Sequence, residues 1–241
     1  MAAAPGAGVR YHSALGGSTL GHCRLGGRTR QQARASNHRA RSRTHINQVS
    51  KDVALKKITV PPLVAPQVAG NLSDLPVRNG STRPHDVAFS RSSSGTWVDV
   101  TNAEFLADVQ ALAKGLMAAG IGVGERVAIM SKTRYEWTLV DFAVWTAGAV
   151  PVPIYETSSA EQVGWIVGDA GCAAVILETP THARILNAVR ADQPELRHVW
   201  QIDAGGLDEL KVAGLEITDE ALEIRRGQVS RTDVATIIYT S

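Results

Sequence analysis

The sequence predicts an α/β fold, in which alternating βαβ units build a mainly parallel sheet covered by helices. Three observations carry that prediction. From Thr96 onward, short apolar runs of strand length alternate with stretches of about 10–15 residues that have helical periodicity. The helical stretches open at Thr101-Asn102-Ala103-Glu104, Ser158-Ser159-Ala160-Glu161 and Thr179-Pro180, where a hydroxyl can accept from the free amides of a first turn. Gly120, Gly148 and Gly171 stand where these stretches end, the place for a left-handed residue before the next strand.

Taken in order, 97–100 reads as a short strand. The following helix puts Phe105, Leu106, Val109, Leu112, Ala113, Leu116 and Met117 on one face, the stripe of an amphipathic helix. A buried strand at 127–130 leads to a helix over 135–147 and a proline-flanked strand at 150–154. The box at Ser158 opens a third helix that closes before Gly171. Strand 173–177 is wholly apolar, and Thr179 caps a helix reaching Arg190. A strand at 198–202, a looser helix over 207–212, a helix capped at Thr218 and a last strand at 234–239 complete the pattern. In such sheets ligands sit beyond the carboxyl ends of the strands.

Composition divides the chain into three. Residues 1–48 are basic and lack periodicity: residues 1–50 hold eight arginines, no lysine and no acid. The whole chain has 25 Lys and Arg against 23 Asp and Glu; removing those eight leaves 17 against 23, so residues 51–241 carry −6. The arm reads as a disordered extension, with a transit peptide or a nucleic-acid arm as alternatives, and the working protein is expected to begin near Val49. No nucleic-acid partner is expected, because aromatic residues are not interleaved with the arginines. Residues 49–95 form a Pro/Ser-rich transition in which Asn71-Leu72-Ser73-Asp74 could cap a short helix, and residues 96–241 form the organised body. Cys23 and Cys172 make neither a disulfide framework nor a zinc spacing, which suits a reducing cytoplasm. No apolar run reaches the roughly 18 residues of a membrane span, so membrane contact is expected to be peripheral at most.

Several residues invite chemistry and are read structurally. Gly120-Ile121-Gly122-Val123-Gly124 follows a helix and opens a strand, the reverse of a dinucleotide fingerprint. Cys172 reads as a structural thiol, and His182 and His198 lack partners for acid–base work. Asp141 is expected at a solvated helix position, and Arg134-Tyr135-Glu136-Trp137 is expected to serve capping and packing. The sharpest feature is Tyr239-Thr240-Ser241 after an apolar run, because a loop that grips phosphate needs hydroxyls and free amides at the end of a rigid strand.

Taken in order, the segments Thr96-Trp97-Val98-Asp99-Val100-Thr101, Gly124-Glu125-Arg126-Val127-Ala128-Ile129-Met130-Ser131, Thr133-Arg134-Tyr135-Glu136-Trp137, Ala147-Gly148-Ala149-Val150-Pro151-Val152-Pro153-Ile154-Tyr155-Glu156-Thr157 and Ile237-Ile238-Tyr239-Thr240-Ser241 resemble the front half of AMP-forming acyl-CoA synthetases of the bacterial long-chain fatty-acid type. The resemblance covers roughly residues 58–241. It implies the N-terminal part of a synthetase-like large domain, 96–241 being a partial AMP-binding domain. It implies ATP, Mg²⁺ and CoA as cofactors and a fatty acid as substrate, and it allows a homodimer. By position, Tyr239 would finish the strand, and Thr240 and Ser241 would begin the ATP phosphate loop. On this resemblance the chain is a fragment of a long-chain fatty-acid–CoA ligase cut at the start of that loop. The alternatives are another adenylate-forming ligase or a non-catalytic binding protein with a basic N-terminal arm. The fragment holds no catalytic or metal residue and is expected to be inactive alone.

Overall fold

The computed structural model describes residues 60, 61, 63, 64, 69–93 and 95–240. The basic arm with its three readings, the start near Val49, and Ser241 lie outside the described residues. Four parallel strands form the central sheet: β3 (Arg126–Met130), β4 (Val150–Ile154), β5 (Cys172–Leu177) and β6 (His198–Gln201), in the order β4-β3-β5-β6. Before them come α1 (Asp74–Thr82), an antiparallel hairpin of β1 (Val87–Ser93) and β2 (Thr96–Thr101), and α2 (Asn102–Ala118). Between and after the sheet strands lie α3 (Tyr135–Thr146), α4 (Ala160–Asp169), α5 (Pro180–Asn187), α6 (Gly206–Ala213) and α7 (Asp219–Arg226).

Local chemistry explains the helix ends. The Thr101 hydroxyl accepts from the Glu104 amide at 3.3 Å, and the Glu104 carboxylate accepts from the Thr101 amide at 2.8 Å, closing the expected capping box of α2. At the far end Gly120 takes φ +78°. Its amide donates to the Met117 carbonyl and that of Ile121 donates to Leu116, the paired bonds of a Schellman ending. Ile121 and Leu116 are fully buried and supply its apolar contact. Thr179 and Thr218 likewise accept from His182 and Ala221 amides to start α5 and α7.

Side-chain alternation along the strands makes two cores. Val127, Ile129, Ala174 and Ile176 face α2, α3, α6 and α7, meeting Leu112, Val140, Leu210 and Leu222. Ala128, Met130, Val152, Val175 and Leu177 face α4 and α5, meeting Val163, Val167 and Leu186. Helix α2 approaches α6 so closely that a Cβ on Gly115 would stand 2.1 Å from the Leu210 carbonyl oxygen. Phe89 on β1 meets Phe105 at 4.8 Å and Tyr135 at 5.8 Å between ring centres, which fastens the hairpin over α2 and α3.

Four elements depart from the sequence reading. The α4 cap is Ser159 with Gln162, one residue beyond the box expected at Ser158 and Glu161; the stripe of Val163, Ile166 and Val167 on the sheet sets the helix register, and Ser158 is buried. Helix α5 stops at Asn187, and Arg190–Asp192 form a separate 3₁₀ turn. Strand β1 was not expected, since its apolar residues are too few to signal a strand.

The fourth concerns 234–239, which lies beside β4 without forming a ladder. Among the described residues a single backbone bond, from the Ile237 amide to the Pro151 carbonyl at 3.3 Å, joins it to the strand. The reason lies in β4 itself. Successive residues of a strand aim their backbone groups to opposite sides; Val150 donates inward, to the Glu125 carbonyl, so 151 and 153 face outward. Both are prolines and have no N–H to give.

Candidate functional site

The segment 234–240 is held by side chains where the ladder fails. The Trp145 indole donates to the Ala235 carbonyl at 2.7 Å. The Thr236 hydroxyl donates to the Pro151 carbonyl at 3.0 Å. Ile237 and Tyr239 pack on the core beneath α4 and α5. The Tyr239 hydroxyl donates to Asp169 Oδ2 at 2.7 Å, and its ring meets Trp165 nearly edge-on at 5.0 Å. Burial, then the bond to Asp169, pushes the Tyr239 phenol up to about 12. Ala235 stands at the amino end of the sheet beside Gly148 and Val150, and Ile237 stands at Pro151, so the segment advances toward the carboxyl edge. Tyr239, expected to finish a strand, instead ends a segment that forms no ladder, and Thr240 beside it is exposed.

The carboxyl ends of β3, β5 and β6 carry a second constellation. The Arg134 guanidinium donates to Glu136 at 2.6 Å, to Asp203 at 3.1 Å and to Glu178 at 3.2 Å. Glu178 is buried and also accepts from the Lys132 amide at 2.8 Å and the Ser131 hydroxyl at 3.2 Å. Burial pushes the Glu178 carboxyl up, but the Lys132 amide, the Ser131 hydroxyl and Arg134 outweigh it and hold it below its usual range. Arg134 is raised above the usual guanidinium value, first by its bond to Glu136. Arg134 thus ties three strand ends into one edge, a larger role than the capping and packing expected of it. Sequence reasoning missed the cluster because residues 134, 178 and 203 meet only through the strand order. Among the described residues no hydrogen bond joins this cluster to Tyr239 or Thr240.

Other expectations sort cleanly. Cys172 is buried, and burial pushes its thiol up to about 12, as a structural thiol requires. Residues 120–124 are a helix-to-strand turn. His198 stacks on Trp200 at 5.2 Å, and His182 is buried in the first turn of α5. Asp141 is not solvated: it is 8% exposed, because α3 is enclosed on most sides and Trp137 and Trp145 lie one turn to either side of it. A cavity of about 810 Å³ opens at the amino ends of β3 and β4, between Leu72, Leu75, Val123, Trp145, Val150 and Val234. That is the end of the sheet opposite to where such folds bind ligands. Among the described residues no group of three His, Cys, Asp or Glu side chains could hold a metal ion.

Comparison with known proteins gives a consistent picture. The family model described as AMP-binding enzyme matches residues 77–241. Long-chain-fatty-acid–CoA ligase FadD15 of Mycobacterium tuberculosis is 40% identical over 193 residues, which cover 78% of this chain and 32% of the relative. A feruloyl-CoA synthase of Amycolatopsis is 31% identical over 170 residues, covering 70% of this chain and 30% of the relative. The crystal structure of a long-chain-fatty-acid–CoA ligase from Archaeoglobus fulgidus superposes with a TM-score of 0.63 at 20% identity, covering 76% of this chain and 36% of that one; this likeness speaks for the fold. The chain thus spans 32% and 30% of the two curated relatives. With the family model matching more than half of its residues, the chain belongs to the AMP-binding enzyme family.

Proposed function

We propose that this chain forms the N-terminal part of a long-chain fatty-acid–CoA ligase, with Thr240 and Ser241 beginning the loop that receives the phosphates of ATP. The overall reaction would join a fatty acid to AMP with release of diphosphate and then transfer the acyl group to CoA. The observation that supports the fatty-acid branch is the 40% identity to FadD15 over 193 residues, against 31% to the feruloyl-CoA synthase. Chemically, hydroxyls and free amides at the end of a fixed segment are suited to a phosphate, because donors already in position need no reorganisation as charge develops. Tyr239 would set the level at which that loop leaves the sheet. The proposal includes a cytoplasmic location, at most peripheral contact with membranes, no nucleic-acid partner, and a homodimer as one admissible assembly. Among the described residues no helix is long and apolar enough to cross a membrane.

The 241 residues by themselves are expected not to form acyl-CoA, since positioning and charge stabilisation must be supplied together for the reaction to proceed. The test is to express the chain both alone and continued to the length of its relatives, and to supply MgATP and CoA with palmitate or ferulate. The proposal expects palmitoyl-CoA from the continued chain and no product from the shorter one. Preference for ferulate would overturn the substrate class, and turnover by the 241 residues would overturn the expected inactivity.

A further inference from the structure

From the failed ladder at β4 we infer that Tyr239, Asp169 and Trp165 form an anchor that fixes where the chain leaves the sheet after residue 239, and that Asp169 is thereby a positioning residue for the phosphate loop. The inference rests on the proposed function for the identity of that loop, while the anchor itself is argued from geometry alone.

Pro151 and Pro153 remove the two donors that β4 could offer outward, and the backbone bond to the strand found among the described residues is made at Ile237, two residues before Tyr239. Beyond Ile237 no backbone bond to β4 holds the segment among the described residues. Trp145 and Thr236 fasten its earlier part, at Ala235 and Pro151. What fastens its last part is the Tyr239 side chain, whose ring packs against the core and Trp165 and whose hydroxyl reaches the Asp169 carboxylate at 2.7 Å. Asp169 is the last residue of α4, a helix whose own position is set by Val163, Ile166 and Val167 on the sheet. The anchor therefore refers the start of the loop to a rigid element that a backbone ladder would otherwise have supplied. A hydrogen bond to a charged acceptor is among the stronger ones available to a partly exposed side chain.

Hydrogen exchange of the backbone amides of the 241-residue chain tests this directly. Asp169→Ala and Tyr239→Phe are each expected to speed exchange of the Ile237 amide, which donates to the Pro151 carbonyl, roughly tenfold while leaving β3 and β5 unchanged. The double variant is expected to be no faster than either single one, because the two changes remove one bond. Asp169→Asn keeps an acceptor for the hydroxyl and is expected to stay within about threefold of the parent. Unchanged exchange of the Ile237 amide in Asp169→Ala, an equal loss in Asp169→Asn, or additive losses in the double variant would each overturn the anchor. In the chain continued to the length of its relatives, Asp169→Ala is expected to raise KM for MgATP about as much as it speeds exchange, with Asp169→Asn restoring it. An anchor that passes the exchange test without moving KM for MgATP would place the phosphates elsewhere, which overturns its positioning role and contradicts the proposed loop while sparing the contact itself.

Discussion

Asp141 sits in α3 at 8% exposure with no donor to its carboxylate among the described residues, and burial alone pushes it up from its ordinary 3.8 to about 6. A raised acid costs nothing below its unfolded value, and its cost grows as pH rises through the folded value. The difference between 3.8 and about 6 corresponds to about 3 kcal/mol of lost stability near neutral pH. Asp141→Asn should therefore raise the melting temperature near neutrality, and the gain should vanish below about pH 4; melting curves across that range check it. Arg134 behaves in the opposite sense. Glu178 is buried and held below its ordinary 4.5, so the stability it gains from its partners is present above 4.5 and lost as pH falls through the lower folded value. Arg134→Ala leaves that carboxylate without its cation and should cost about 2–4 kcal/mol near neutrality, with a smaller loss in acid. Urea titrations of both proteins at two pH values read the difference.

At the scale of elements, the contact between α2 and α6 depends on an absent side chain. Gly115→Ala would improve helix propensity by about 1 kcal/mol, yet the new Cβ would stand 2.1 Å from the backbone oxygen of Leu210. Backbone yields less readily than a side chain, so the steric cost should win and the variant should lose about 2 kcal/mol or more. An increase in stability would mean that the two helices can part without penalty. The capping box makes a milder case: Thr101→Ala should cost about 1 kcal/mol, since the Glu104 amide loses its acceptor. These local devices were legible because their parts lie within four residues of one another. The strand from 234 was misjudged because its ladder depends on prolines some 85 positions away, at 151 and 153. Strand β1 escaped because what holds it is Phe89 against Phe105 and Tyr135, which exists only after folding.

At the scale of the whole molecule, β3 and β5 feed both cores, so neither face of the sheet can be lost alone. Leu112→Ala on one face and Leu186→Ala on the other are each expected to cost about 2–5 kcal/mol and to shift one shared unfolding transition, seen alike by far-ultraviolet dichroism and tryptophan fluorescence. Two separated transitions would contradict a common core. The alternation of strands and helices that builds this sheet could be read from hydrophobic period alone. Its carboxyl edge could not, because Arg134, Glu178 and Asp203 are brought together by the β4-β3-β5-β6 order, which periodicity does not encode. The central claim is that Thr240 and Ser241 open an ATP phosphate loop, and one measurement tests it most directly: steady-state kinetics of Thr240→Val/Ser241→Ala in the chain continued to the length of its relatives. The account expects kcat/KM for ATP to fall roughly 100-fold or more, with KM for the fatty acid nearly unchanged; a double variant within about threefold of the parent for ATP would contradict it.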